Sequence, residues 1–235
     1  MGSSVLNGTV NNMLKLVLPK GSLETATMQL FHDADLTVRR SSEVDYRATI
    51  DDPRVNAVRI LRPQEIPTYV ADGLFDVGIA GRDWIEETSS DVVSLGQMKY
   101  SKATARPVRI VLAVPADSAY ESISDLPQGV RISSEYPELT NRHFTAAGIE
   151  ADIRLSYGAT EAKAPDIVDA VVDLTETGSA LKAAGLKIID EILTSYTEIF
   201  ANSQSYADPE KRKAMEQIKT LLDGVLDARG RVLMK

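Results

Sequence analysis

The sequence predicts an α/β protein of two lobes with a central cleft, and three observations carry that reading. From Leu14 onward short β-like apolar runs alternate with helical stretches, the arithmetic of βαβ units and of a mainly parallel, covered sheet. One run, Val108 to Val114, is almost uninterrupted and ends at Pro115, as a central strand does. The chain also passes twice between two sets of elements, near Lys102 to Pro107 and near Gly185 to Asp190. Two crossings suit two lobes with a hinge and a ligand held between them.

The elements follow in order. Residues 1–12 are rich in Gly, Ser and Asn and read as a disordered leader or the remnant of a purification tag. Leu14 to Leu18 is a strand, and Ser22 to Ala34 is a helix with Leu23, Leu30, Phe31 and Ala34 near one face. Val55 to Leu61 is a strand, Gln64 to Asp72 a helix and Phe75 to Ala80 a strand. The second set comprises strands at Val108 to Val114 and Val130 to Ser133, a helix at Leu139 to Ala147, a strand at Ala151 to Leu155 and a helical turn near Glu161. Strand Ala170 to Asp173 and helix Ser179 to Ala184, stopped by Gly185, close it. Leu186 to Leu193 and Glu198 to Ala201 read as strands returning to the first lobe, so that residues 13–104 with 187–235 form one lobe and 105–186 the other. The last helix has a clear start, with Asp208 as N-cap, Pro209 at the first helical position and Glu210 in the first turn. Met215, Ile218, Leu222 and Val225 then form an apolar stripe for packing.

Composition narrows the chemistry. The chain has 235 residues, no cysteine and two histidines, His32 and His143, which excludes disulfides, thiolate metal sites, a cysteine nucleophile and a His-rich metal centre. Neither histidine is near an obvious nucleophile, and both read as solvated or packing residues. A net charge of −8 argues against binding nucleic acid through its phosphates. No apolar run approaches the roughly 20 residues needed to span a bilayer, so a cytoplasmic protein is expected, without a membrane. To bind a small polyanion, such a chain has to gather its positive charge locally. The candidates are Lys20, Arg39, Arg40, Arg47, Arg62, Arg82, Lys99, Lys102 and Arg106.

The most informative run is Ala170-Val-Val-Asp-Leu-Thr-Glu-Thr-Gly-Ser-Ala-Leu181, a buried strand that stops at Asp173 and delivers a small, hydroxyl-rich turn to a helix start. Thr175, Thr177 and Ser179 offer hydroxyls, Gly178 lets the backbone come close, and N–H groups at the helix mouth face an anion. Asp173 and Glu176 repel a bare phosphate but accept hydrogen bonds from sugar hydroxyls, so a sugar phosphate fits better than phosphate alone. Strand, small turn and helix is also the ordinary connection of any α/β protein. Pro19-Lys20-Gly21-Ser22-Leu23 places a lysine and a helix start together after the first strand, at the edge where open α/β sheets bind ligands. Asp76-Val-Gly-Ile-Ala-Gly-Arg-Asp83 repeats the layout, with Gly78 and Gly81 suited either to close approach of a ligand or to packing.

Taken together, five ordered segments resemble the ATP phosphoribosyltransferase family. They are Leu16-Val-Leu-Pro-Lys-Gly-Ser-Leu-Glu24, Arg62-Pro-Gln-Glu-Ile-Pro-Thr-Tyr-Val70, Gly78-Ile-Ala-Gly-Arg-Asp83, Tyr157-Gly-Ala-Thr-Glu161 and Asp173-Leu-Thr-Glu-Thr-Gly-Ser179. The resemblance implies the two-lobed fold of type II periplasmic binding proteins. It implies attack by adenine N1 of ATP on the anomeric carbon of 5-phosphoribosyl diphosphate, with release of diphosphate and with Mg2+ carried mainly by that diphosphate. Its roles fall on Asp173, Thr175, Glu176, Thr177, Gly178, Ser179 and Ala180 as the phosphoribosyl loop, and on Lys20, Gly21, Arg62, Gly81 and Asp83 in the first lobe. Arg47, Tyr100, Lys102, Arg106 and Glu161 are secondary candidates for polar and anionic groups. Ala180 stands where the family commonly has Thr or Ser. The resemblance is closest to the long form of the family shortened to its catalytic core, which implies weak or absent inhibition by histidine. A homodimer is expected, and a hexamer if a regulatory domain were present. The competing reading is a non-catalytic two-lobed module that binds a small anion.

Overall fold

The computed structural model describes residues 12–100 and 107–232, with side chains to residue 230. The leader up to residue 11, Lys102 and Arg106 lie outside the described residues. The chain divides into two compact units, residues 1–106 with 196–235 and residues 107–195.

The first unit is built on a seven-stranded sheet. Its strands are β1 (Leu14–Pro19), β2 (Val38–Arg39), β3 (Arg47–Ile50), β4 (Val55–Leu61), β5 (Val77–Gly81), β6 (Val92–Met98) and β12 (Thr197–Asn202), in the order β2-β3-β4-β1-β5-β12-β6. Strand β1 pairs in parallel with β4 and with β5, whereas β3, β12 and β6 add antiparallel pairs on either side. The sheet is therefore mixed, with a parallel centre, rather than mainly parallel. Helices α1 (Glu24–Asp33), α2 (Ile66–Ala71), α3 (Arg82–Thr88), α6 (Ser203–Ala207) and α7 (Pro209–Val232) complete the unit.

Side chains alternate across a strand, and the two faces are covered by different helices. Leu16 and Leu18 of β1, Ile79 of β5 and Ile199 and Ala201 of β12 join Leu30 and Phe31 of α1 and Met215, Ile218 and Leu222 of α7 in one cluster. The residues between them, Val17, Ala80 and Phe200, join Ile66 and Val70 of α2 and Ile85 of α3 in another. Each fully buried Leu, Ile or Phe contributes about 1.5–3 kcal/mol through removal from water. The start of α7 is as its residues foretell: the Asp208 carboxylate accepts from the N–H groups of Glu210 and Lys211 at 2.9 and 3.1 Å. A buried carboxylate, Asp76, ties the start of the sheet to that helix. It accepts from Lys15 N–H, the Ser205 hydroxyl and the Lys211 ammonium at 2.7, 2.6 and 2.8 Å.

The second unit holds a five-stranded sheet in the order β11-β7-β10-β8-β9. These strands are β7 (Val108–Pro115), β8 (Val130–Ser134), β9 (Ala151–Leu155), β10 (Ala170–Thr175) and β11 (Leu186–Ser195), joined by α4 (Pro137–Ala146) and α5 (Ser179–Ala183). Ile110 to Val114 are fully buried, as the uninterrupted run of β7 requires. One expectation is corrected here. Residues 187–195 do not return to the first unit, because β11 pairs antiparallel with β7 along its length and the chain leaves only at Tyr196.

Gly78 settles as a packing glycine. A Cβ there would stand 2.7 Å from Ile66 Cγ2, 2.8 Å from Val70 Cγ2 and 3.1 Å from Phe200 Cε2. Gly78→Ala is expected to lower stability by about 1–3 kcal/mol through overpacking. A urea unfolding midpoint unchanged from the parent protein would refute this.

Candidate functional site

In the second unit, β8, β9 and β10 run parallel, so their carboxyl ends reach one edge of the sheet. Val172, Ser134 and Leu155 lie level in the register, and Asp173, Glu135 and Ser156 are the next residues out. Strand β10 runs past Asp173 to Thr175 before the loop begins. Gly178 sits at φ +78°, where an L side chain is strained, and a Cβ would lie 3.3 Å from Ile188 Cδ1.

The loop is shaped by its own hydroxyls. Thr175 is buried, and its Oγ1 accepts from Gly178 N–H at 2.7 Å. Thr175 thus closes the turn, and the Gly178 N–H is occupied by it. Thr177 and Ser179 are exposed, with hydroxyl oxygens 3.0 Å apart, and Ser179 N–H donates to Thr177 Oγ1 at 3.4 Å. Glu176 is half-buried and Ala180 exposed.

Beside the loop, Lys163 donates to Ser156 Oγ, which in turn shares a hydrogen bond with the buried Thr160 hydroxyl at 2.7 Å. Lys163 and Glu135 escape a reading of the sequence, although Glu135 directly follows a strand whose end was legible. Burial, with further repulsion from Glu161 and Glu135, pushes the Asp173 carboxyl up to about 6 from 3.8, against the hydrogen bond from Leu174 N–H and the pull of Lys163. Asp173 is therefore poised between its protonated and ionised forms near pH 6 and is mostly ionised at neutral pH.

The first unit has a matching edge at the ends of β1, β4 and β5. Lys20 N–H donates to Leu61 O at 2.7 Å, which brings Lys20 and Gly21 beside Arg62. Gly21 is at φ +84° with open space around it, and its N–H donates to Glu24 Oε2 at 3.2 Å. Glu24 also takes the Arg40 guanidinium, at 2.5 Å. Arg62 is exposed, and Gly81 ends β5 and opens α3. Arg82 is bound by Glu86 and faces Glu198, and Asp83 is buried in the first turn of α3. Arg47 is exposed and pairs with Arg59 across the strands.

Tyr100 is corrected. It is buried in the core of the first unit, and its hydroxyl lies 2.9 Å from Thr27 Oγ1. Burial pushes the phenol far up, and with its hydroxyl buried beside Thr27 the side chain packs in the core instead of facing an anion. The histidines are engaged locally, His32 with Thr37 at 3.1 Å and His143 with Asp190 at 2.8 Å.

The family model described as ATP phosphoribosyltransferase matches residues 62–224. An ATP phosphoribosyltransferase from Chlorobium luteolum is 45% identical over 225 residues, which is 96% of this chain and 76% of that protein. The chain belongs to the ATP phosphoribosyltransferase family. It is a transferase, and its reaction is the phosphoribosylation of ATP at the first step of histidine biosynthesis. The solved ATP phosphoribosyl transferase (HisG:HisZ) complex from Thermotoga maritima aligns with a TM-score of 0.77 at 28% identity, covering 92% of this chain and 100% of that chain. The alkanesulfonate-binding protein SsuA from Xanthomonas axonopodis pv. citri, bound to MOPS, aligns at 0.50 and 20% identity over 94% of this chain and 76% of that chain. That likeness concerns the fold, which is the type II periplasmic-binding-protein class. The chain spans about three quarters of the length of the curated relatives.

The raised carboxyl gives a test by pH. A folded-state value above the unfolded one means that Asp173 favours the fold while protonated and opposes it once ionised. Asp173→Asn is therefore expected to leave stability nearly unchanged at pH 4 and to raise it increasingly between pH 4 and about 6, reaching a plateau above. Thermal melts across that range check it, and a difference independent of pH would contradict the assignment.

Proposed function

We propose that residues 173–180 hold the 5-phosphate and ribose of 5-phosphoribosyl diphosphate, and that Lys20, Gly21, Arg62, Gly81 and Asp83 serve the anionic groups and ATP from the first unit. The observation that carries this reading is the exposed Thr177 and Ser179 hydroxyl pair on a turn fixed by Gly178 and Thr175. Two adjacent hydroxyls suit a phosphate once the hydrogen bond between them is exchanged for bonds to the anion, while Glu176 and Asp173 accept from the ribose hydroxyls. Glu161 and Lys163 complete the surroundings of Asp173.

The chemistry needs little from side chains beyond this. Adenine N1 carries a lone pair, so the N1–C1′ bond forms without a strong base as the C1′–O bond breaks and diphosphate leaves with the electron pair. Positioning and stabilisation of separating charge are what the protein supplies. The family uses a divalent metal. In our reading Mg2+ enters as part of the diphosphate substrate and neutralises the leaving group; among the described residues no group of three or more His, Cys, Asp or Glu side chains is gathered. In our reading the enzyme acts in the cytoplasm; among those residues no helix is long and apolar enough to cross a membrane. A homodimer remains the proposed assembly. A receptor for small anions is the less favoured reading, given the family identity over most of the chain.

Replacing Thr177 and Ser179 together by Ala is expected to weaken 5-phosphoribosyl diphosphate binding about tenfold or more, since hydrogen bonds to charged groups contribute roughly 1.5–3 kcal/mol. Gly178→Val is expected to abolish it, by straining the left-handed backbone and crowding Ile188. Calorimetric titration checks both, with circular dichroism to verify folding. Unchanged affinity in the folded double variant would remove the loop from the site.

A further inference from the structure

We infer that Tyr46 is a positioning residue for Lys20. The Lys20 ammonium stands over the Tyr46 ring, 4.5 Å from its centroid, so that the negative face of the ring holds a cation that would otherwise sample many rotamers. The inference rests on the reading of Lys20 as a substrate-facing cation and adds what keeps it in place.

Topology explains why this tyrosine meets that lysine. Strand β3 runs antiparallel to β4, so it begins at the edge where β1 and β4 end. Tyr46 is the residue just before β3, and its carbonyl accepts from Ile60 N–H at 2.9 Å. Lys20 is the residue just after β1, fixed by its own bond to Leu61 O. The two therefore leave the strands on either side of β4 at nearly the same level. The turn that carries Tyr46 is itself pinned, because Asp45 accepts from the Ser41 hydroxyl at 2.5 Å and from Arg47 N–H at 2.9 Å.

Tyr46 is 51% exposed, which places the interaction at the weaker end of such contacts. Loss of the ring should then raise KM about two- to five-fold for the substrate that Lys20 serves, with kcat unchanged. Phenylalanine keeps the ring and should rescue, whereas leucine keeps only apolar bulk.

The experiment compares Tyr46→Leu, Tyr46→Phe, Lys20→Met and the Tyr46→Leu/Lys20→Met double variant in steady-state formation of phosphoribosyl-ATP. It is read beside the NMR shift of the Lys20 ε-methylene protons. Expected are an upfield ring-current shift in the parent and in Tyr46→Phe that is lost in Tyr46→Leu, a KM rise in Tyr46→Leu alone of the two Tyr46 variants, and no further rise on adding Tyr46→Leu to Lys20→Met. A missing ring-current shift, or additive KM effects, would overturn the positioning role. A normal KM in Tyr46→Leu beside a raised one in Lys20→Met would overturn it while leaving Lys20 in the site. A normal KM in Lys20→Met would remove Lys20 from the site and the inference with it.

Discussion

Parallel pairing of three neighbouring strands is the constraint on which the rest depends, and it operates once in each unit. Strands that run the same way deliver their carboxyl ends to one edge, so residues far apart in the chain are brought level without any contact between their side chains. In the second unit this gathers Glu135, Ser156 and Asp173; in the first it gathers Lys20, Arg62 and Gly81. Parallel strands also need crossover connections and cover on both faces. The alternation of Leu16, Val17 and Leu18 between two apolar clusters meets that need. Gly78 has no side chain because the cover over its face, Ile66, Val70 and Phe200, already fills the space.

At both edges the backbone is arranged before any ligand arrives. Thr175 and Gly178 close one loop, and Glu24 with Gly21 closes the other. A chain of net charge −8 has to spend its cations carefully, and several are already committed to carboxylates: Arg40 to Glu24, Arg82 to Glu86 and Arg131 to Asp169. Lys20 differs in resting on an aromatic face, which orients the ammonium without neutralising it. Asp173 is the opposite case, a carboxylate whose charge is opposed by burial and by its acidic neighbours.

Much of this was legible in one dimension. Val55 to Leu61 and Ala151 to Leu155 are strands with the bounds that their residues suggest, and Asp208-Pro209-Glu210 opens a helix as its capping chemistry requires. What escaped was non-local. Strand β2 has two residues, and β6 reads Val-Val-Ser-Leu-Gly-Gln-Met with no clean alternation, so neither announces itself. The sequence of β11 marks it as a strand but cannot say that its partner is β7, which is why its lobe was misassigned. Tyr100 was a candidate only through the family resemblance, whereas its side chain turns into the core to meet Thr27. The loop at residues 173–180 was read from its small residues, but the burial of Thr175 and the nearness of Lys163 depend on strands that only the folded sheet brings together.

The most direct test of the account is a crystal structure of the chain with 5-phosphoribosyl diphosphate and Mg2+. The account predicts the 5-phosphate within hydrogen-bond reach of the Thr177 and Ser179 hydroxyls, with the ribose hydroxyls on Asp173 and Glu176. A 5-phosphate seated on Lys20 and Arg62, with residues 173–180 untouched, would contradict it.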